Sequence, residues 1–263
     1  MEAIDVVMLT KNSEHMLAAC LQSVSDNVPV RRLIVVDGAS TDNTLKILDE
    51  FDREHRNINI ITENGSRAEA RERGIRQVET EWFMFADSDI ILCKDWFREA
   101  IKQIDTNVGA IWGLNIDVIP TIKNKFFLKH RAIIARECFN LRGGMHDTLI
   151  RRELVEDIRI PKQLHVYEDA YIVNWIKKKG HKVVIGNEIY CLHYRQAEDW
   201  NLKKSLSLAA LEIKCGLIYS HLFRYAFYYP FFSFYWFLQV LSKNYRNSSL
   251  HEGEPKMIRE GSG

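Results

Sequence analysis

Trp82-Phe83-Met84-Phe85-Ala86-Asp87-Ser88-Asp89-Ile90-Ile91-Leu92 is the stretch on which the reading of this chain turns. Five apolar residues in a row read as a strand buried on both faces. The run ends in two carboxylates one residue apart, and such groups are costly to leave unpaired beside a core. A divalent cation bridging two phosphates would neutralise them, since hard cations take carboxylate and phosphate oxygens. The plainer alternative is a solvated turn with an aspartate capping the next helix. The neighbouring segments decide between the two.

Working outward, apolar runs at 3–9, 32–36 and 58–61 read as further buried strands. Helical patterns lie between and after them, at 14–25, 43–54, 67–78 and 94–104, with Ser40-Thr41-Asp42 offering caps ahead of Leu45, Ile47 and Leu48. This rhythm predicts an α/β protein with a mostly parallel sheet and helices on both faces. Ligands of such sheets bind outside the carboxyl ends of the strands. Thr10, Asp37 and Asp87 all fall there. Further on, 108–119 reads as one or two strands, 124–142 as a basic helix, 168–179 as a helix closed by Gly180, and 182–185 as a strand.

Bulk properties narrow the classes. Of 263 residues, 46% are hydrophobic, which predicts a folded, core-forming protein. Lys plus Arg number 36 against 35 Asp plus Glu, a balance that argues against a nucleic-acid binder held by net charge. Five scattered cysteines (20, 93, 138, 191 and 215) form no CxxC pair, so a reducing compartment is expected, without a zinc site or disulfide framework. The first strand begins almost at once, with no basic region and apolar leader before it. Between 215 and 241 aromatic residues dominate, interrupted by His221, Arg224, Pro230 and Gln239 and flanked by lysines and arginine. We expect a helix or broken hairpin lying in a membrane surface. A helix packed on the domain or across a homodimer seam is the alternative. The polar tail from Asn247 onward is expected to be disordered.

Three more motifs accompany the paired aspartates. Val35-Val36-Asp37-Gly38-Ala39-Ser40-Thr41-Asp42 is a strand ending in a carboxylate and a small-residue turn. Ala70-Arg71-Glu72-Arg73-Gly74 is a helix from which the planar fork of Arg71 could meet a phosphate. Tyr167-Glu168-Asp169 opens a helix, where carboxylates are favoured by the dipole alone. In this order and spacing, together with Met8-Leu9-Thr10-Lys11-Asn12, Gly143-Gly144, Leu149-Ile150-Arg151-Arg152 and the exit Lys179-Gly180-His181-Lys182-Val183, they resemble glycosyltransferase family 2, the inverting sugar transferases of GT-A (Rossmann-like) fold. The resemblance covers about 3–195. Gly38 stands where the family usually has a second Asp, and Glu72 where it has Asn.

The resemblance implies a metal-dependent transfer of one sugar from a UDP- or GDP-linked donor. Asp37 would bind the nucleoside, with Thr10 and Asn12 lining the base pocket. Arg71 and Asp87 would meet ribose or diphosphate. Asp89, with His193 in Tyr190-Cys191-Leu192-His193-Tyr194, would hold Mg²⁺ or Mn²⁺. A histidine simply packed at a strand end is the other reading of His193. Asp169 would be the general base, with Gly144 and Glu168 on the acceptor side. Arg195-Gln196-Ala197-Glu198-Asp199-Trp200 does not match the Gln-X-X-Arg-Trp motif of the processive synthases, so single transfer is expected. The acceptor would be a lipid phosphate or a lipid-linked glycan, met on the cytoplasmic face of a membrane. The expected layout is a catalytic domain over 1–199, a membrane-associated helical segment over 200–246 and a tail over 247–263. Two rivals are a catalytically silent membrane scaffold of the same fold and a sugar nucleotidyltransferase. The glycine-rich loop of the latter is missing from Thr10-Lys11-Asn12-Ser13-Glu14.

Overall fold

Strand β1 (Ile4–Thr10) alternates its side chains between two cores. Val6 and Met8 face one layer, and Val7 faces the other. The computed structural model describes residues 2–118, 144–164 and 167–194. In chain order β1 is followed by α1 (Leu17–Asn27), β2 (Val30–Asp37), α2 (Thr44–His55), β3 (Ile58–Thr62), α3 (Arg67–Ile75) and β4 (Trp82–Asp87). Then come β5 (Ile90–Leu92), α4 (Trp96–Ile101), β6 (Val108–Asp117), β7 (Asp147–Arg151), α5 (Glu168–Lys178) and β8 (Lys182–His193). The basic segment at 124–142 and the aromatic segment at 215–241 lie outside the described residues. So do Cys138 and Cys215, while Cys20, Cys93 and Cys191 are buried free thiols. Among the described residues no helix is long and apolar enough to cross a membrane.

Eight strands form one sheet in the order β3-β2-β1-β4-β7-β6-β8-β5. The expected helices cover both faces. Residues of α1, α2 and α4 pack with Met84 and Ala86 on one side, and residues of α3 and α5 with Phe83 and Phe85 on the other. Each of those phenylalanines is fully buried, contributing about 1.5–3 kcal/mol. A mostly parallel sheet, however, is not what forms. Pairings β1/β2, β1/β4, β2/β3 and β6/β8 are parallel, but β4/β7, β6/β7 and β5/β8 are antiparallel. The strand–helix alternation that forces parallel crossovers holds only up to β4. Only Ser88 and Asp89 separate β4 from β5, and a parallel return needs a crossover of a dozen or more residues.

Register brings the site together. Thr10 lies opposite Asp37, and Leu9 opposite Asp87, so β1, β2 and β4 end level with one another. Ala86 pairs with Asp147, Ile90 with His193 and Asp117 with His193, which carries three later segments to the same sheet end. Helix α3 begins with a capping box, Ser66 and Glu69 satisfying each other's backbone N–H groups. Helix α5 stops at Lys179-Gly180, where Gly180 takes a left-handed φ of 86° that a side chain would resist.

Gly74 is the point of closest approach between α3 and β1. A Cβ there would run into Cγ1 of Val7, a stiff β-branched side chain with nowhere to turn. Gly74→Ala is expected to destabilise the protein by about 1–3 kcal/mol through overpacking, despite its better helix propensity. A urea unfolding midpoint equal to or above wild type would refute this.

Candidate active site

The loops after β1 and β2 form the first wall. Asp37, the last residue of β2, is 1% exposed. Its Oδ1 accepts the Thr10 hydroxyl at 2.8 Å and the Ser40 hydroxyl at 2.6 Å, while Oδ2 accepts the Ser40 backbone N–H at 2.8 Å. Each carboxylate oxygen can accept two hydrogen bonds, so Oδ2 retains one lone pair. Asn12, at a left-handed φ of 51°, ties the two loops together. Its Oδ1 accepts the Thr41 N–H at 2.9 Å, and its own N–H donates to the Ser40 hydroxyl at 2.9 Å. Gly38 keeps the turn close to β1, its N–H reaching the Thr10 carbonyl at 2.8 Å. Asp42 caps α2 as a local turn, Oδ1 accepting the Thr44 N–H at 3.0 Å. Thr10, Asn12 and Asp37 therefore sit together, with Asp37 more committed to its own loop than the sequence implied.

The second wall is ionic. Arg71 projects from α3 and is 3% exposed. Its Nη2 donates to Asp87 Oδ1 at 3.0 Å, and its guanidinium lies 4.6 Å from the centroid of the Phe85 ring. Nε is 3.9 Å from Glu168 Oε1, with the exposed Arg67 also 3.8 Å from that oxygen. Among the described residues, Arg71 Nε and Nη1, and Glu168 Oε2, are buried without a hydrogen-bond partner. Buried donors and acceptors are normally satisfied, so these three atoms could take a polar ligand. Burial pushes the Asp87 carboxyl up, but the charges of Arg71, His193, His146 and Arg67 outweigh it and hold it below its usual range. Asp169 behaves oppositely. Burial, and then the neighbouring Glu168 charge, push its carboxyl up to about 7, although it accepts the Ala170 N–H.

Between the walls lie the paired aspartates. Ligand atoms of Asp87, Asp89 and His193 all fall within 4.8 Å of one another. His193 Nε2 is 3.1 Å from Asp89 Oδ1, and its Nδ1 is 3.5 Å from Asp117 Oδ1. Metal-bound histidines commonly turn their second nitrogen to a carboxylate in this way, which fixes ring and tautomer. Two carboxylates and an imidazole fit a divalent cation such as Mn²⁺ or Mg²⁺ and leave positions for phosphate oxygens. Ser88, between the aspartates, shares a hydrogen bond with Ser13 at 2.9 Å, tying this loop to the one after β1.

The candidate site residues Thr10, Asn12, Asp37, Arg71, Asp87, Asp89, Glu168 and His193 lie at this end of the sheet, Gly144 included, and the charges of Arg71 and His146 reach Asp169. That glycine precedes β7, and a Cβ on it would come within 2.6 Å of the His146 ring. Sequence reasoning passed over Asp117, Ser40 and His146. Asp117 ends an apolar strand just as Asp37 and Asp87 do, a signal that could have found it. His146 carried no comparable pattern.

The protein-family model described as "Glycosyl transferase family 2" matches residues 5–162, more than half of the chain. The teichoic acid poly(glycerol phosphate) polymerase of Staphylococcus epidermidis is 33% identical over 193 residues, which cover 67% of this chain and 26% of that protein. The poly(ribitol-phosphate) beta-glucosyltransferase of Bacillus spizizenii is 28% identical over 128 residues, covering 44% of this chain and 20% of that protein. The chain thus spans between a fifth and about a quarter of the length of these curated relatives. Among solved structures, the mannosyltransferase of Pyrobaculum calidifontis in complex with GDP-Man and Mn²⁺ superposes with a TM-score of 0.58 at 19% identity. The match covers 74% of this chain and 57% of that one, and it gives the shared fold, a GT-A-like mixed sheet with helices.

Proposed function

We propose, from the premise that this chain belongs to glycosyl transferase family 2, that it moves one sugar from a UDP- or GDP-linked donor to an acceptor hydroxyl with inversion. The observation that carries the chemistry is the placement of Asp169 next to Glu168 at the start of α5, with Glu168 beside the same Arg71 that holds Asp87; burial and the Glu168 charge push the Asp169 carboxyl up to about 7. A base of that strength is matched to removing a hydroxyl proton near neutral pH. The acceptor oxygen forms its bond to the anomeric carbon as the bond to the diphosphate breaks, and the proton passes to Asp169. One displacement from the opposite face inverts the centre.

The other residues bind and orient. The Thr10–Asn12 and 38–41 loops hold the nucleoside, with the remaining Oδ2 lone pair of Asp37 available to a base N–H or ribose hydroxyl. Arg71 turns its unpartnered Nε and Nη1 towards the diphosphate or ribose. Asp89 and His193 would hold Mn²⁺ or Mg²⁺, while Asp87, already bound to Arg71, would serve the ribose or water at the cation. When present, the cation stabilises the charge growing on the leaving diphosphate.

For the acceptor we favour a polyol-phosphate polymer of the teichoic acid kind, which the names of both curated relatives point to. A lipid-linked form of that polymer is consistent with it. A free lipid phosphate is the second reading. It would already be an anion, and Asp169 would have no proton to remove. We further propose that 1–199 is the catalytic domain, that 200–246 rests on the cytoplasmic face of a membrane, and that 247–263 is a tail. A homodimer through 200–246 is the competing use of that segment.

The test is a panel of UDP- and GDP-sugars, read by Mn²⁺-dependent hydrolysis and by thermal shift. Wild type should be stabilised by UDP or GDP only when Mn²⁺ is added, and Asp89→Ala should lose that dependence. A nucleotide shift indifferent to Mn²⁺ in wild type would rule out the cation site. Absence of turnover with intact binding would favour the silent scaffold.

A further inference from the structure

Helix α3 carries more than Arg71. The next residue, Glu72, is turned about 100° around the helix from it and reaches a segment 88 residues further along the chain. Its Oε1 accepts the backbone N–H of Ile160 at 2.6 Å, and its Oε2 accepts Arg76 Nη2 at 2.8 Å. Ile160 is 4% exposed and belongs to a stretch, 155–164, that lies outside the helices and strands. A buried N–H there has no ladder to donate to, so one side chain supplies what secondary structure supplies elsewhere. A carboxylate acceptor makes that bond stronger than a neutral one would. The glutamate stands where the family usually has Asn, a side chain one methylene shorter. The clamp is therefore not something the resemblance implied.

The clamped stretch lies between α3 and α5. Ile158, Ile160 and Leu164 share one core cluster with Ile75 of α3 and with Ile172 and Ile176 of α5. Its start is tied to the far half of α5, the Trp175 indole N–H donating to the Leu154 carbonyl at 2.9 Å and Lys179 Nζ meeting Asp157 at 2.7 Å. Its end is tied to the first turn of α3 by Lys162, 2.6 Å from Glu69, though that lysine is 80% exposed and contributes little. Four residues after Leu164 the chain enters α5 at Glu168 and Asp169. Among these polar ties, Glu72 supplies the buried one between the stretch and α3.

We propose that Glu72 is a positioning residue. By clamping Ile160 it seats α5 against α3, and so sets where the Asp169 carboxyl stands relative to the Arg71–Asp87 pair. Glu72 itself touches no substrate. This inference rests on the glycosyl-transfer reading, in which Asp169 is the base. Displacing a catalytic group by about 1 Å costs about 10²-fold in rate. The loss belongs to kcat, because the nucleotide residues sit on β1, β2 and β4 and on α3 itself.

Glu72→Ala should lower kcat by about 10- to 100-fold, while UDP or GDP with Mn²⁺ binds as in wild type. Glu72→Gln, which keeps an acceptor oxygen for Ile160, should recover most of that loss. Arg76→Ala removes the other partner of Glu72 and should turn over like wild type. In an Asp169→Asn background, Glu72→Ala should have no further effect on kcat, since the group it positions is gone. Independent, multiplying losses in the double variant would overturn the proposal, as would a wild-type kcat in Glu72→Ala. So would a loss confined to nucleotide affinity, or a Glu72→Gln no better than the alanine. Amide hydrogen exchange tests the clamp without turnover. In Glu72→Ala the N–H of Ile160 and that of Tyr171, which bonds the Tyr167 carbonyl at 3.1 Å where α5 begins, should exchange about tenfold faster, the size of one lost hydrogen bond. Amides of β1 and β4 should keep their protection. Unchanged exchange at Tyr171 would overturn the coupling to α5. If wild type turned over neither UDP- nor GDP-sugars, the transfer reading would fail, and exchange would still judge the clamp.

Discussion

Asp169→Asn should lower the rate of sugar transfer by about 10²–10⁴-fold, the usual range for a general base, while UDP or GDP binding with Mn²⁺ stays near wild type. Wild-type kcat/KM should climb with pH through about 7, where the Asp169 carboxyl loses its proton, and the variant should lack that limb. Stability should move the other way. The folded-state pKa of this group is raised above its ordinary 3.8, so its favourable contribution is fully present below pH 3.8 and is lost as pH rises through about 7. At pH 8 wild type therefore buries a charge that Asn does not carry. The variant should melt several degrees higher there, by about 4–8 °C per kcal/mol for a small domain and less for a larger one, and the gap should close towards pH 4. Such an opposition of activity and stability is expected of a group held for chemistry. A variant as active as wild type at pH 8 would remove Asp169 from the mechanism. A flat pH profile with a free lipid phosphate and a rising one with a polyol would separate the two acceptor readings.

Removing Arg71 should cost the most stability. Arg71→Ala deletes the partner of Asp87, the buried one of the two guanidiniums beside Glu168 and the group stacked on Phe85. Breaking a buried ion pair by removing one member costs about 3–5 kcal/mol, because the other charge is left uncompensated. Part of Asp87 reaches solvent, with a side chain 29% exposed, so the lower end applies to that pair. Glu168, at 3% side-chain exposure, supplies the remainder. Arg71 also lowers both Asp87 and Asp169 electrostatically, so both carboxyls should titrate higher in the variant. Arg71→Lys should restore charge without the planar fork, recovering stability better than nucleotide affinity. Urea unfolding at pH 7 reads the first effect and UDP or GDP titration the second. A loss below about 1 kcal/mol would mean that the cluster is wetter than its burial indicates.

The first half of the chain was legible because each element carries its own period. Val6-Val7-Met8 and Phe83-Met84-Phe85 are continuous apolar runs, and α1, α2 and α3 follow at helical spacing. Strands end where carboxylates begin, so Thr10, Asp37 and Asp87 could be assigned to one end of the sheet before any pairing was known. The second half depends on partners far away in sequence. Three-residue β5 is too short for a period, and its strand state comes from pairing with β8. Strand β8 runs to His193, well past the 182–185 read from sequence, because β6 beside it is ten residues long and pairs along its length. The same holds inside the site. Asp37 reads as a free ligand until Ser40 and Thr10 are seen to occupy most of it.

The pairing of β4 with β7 also has a bearing on how this chain reaches its folded state. The partner of Phe83 and Phe85 along that edge begins at Asp147, and Ile90 waits for His193, so the sheet is completed by segments that emerge well after β4. Contacts this distant in sequence form slowly, since a long loop must close before any of them is rewarded. Until β7 arrives, one of the most apolar strands in the protein leaves the ribosome with an open edge, a template for pairing with another nascent chain. Asp87, the last residue of that strand, and Asp89 just beyond it place two negative charges one residue apart, which repel an identical strand brought alongside in register.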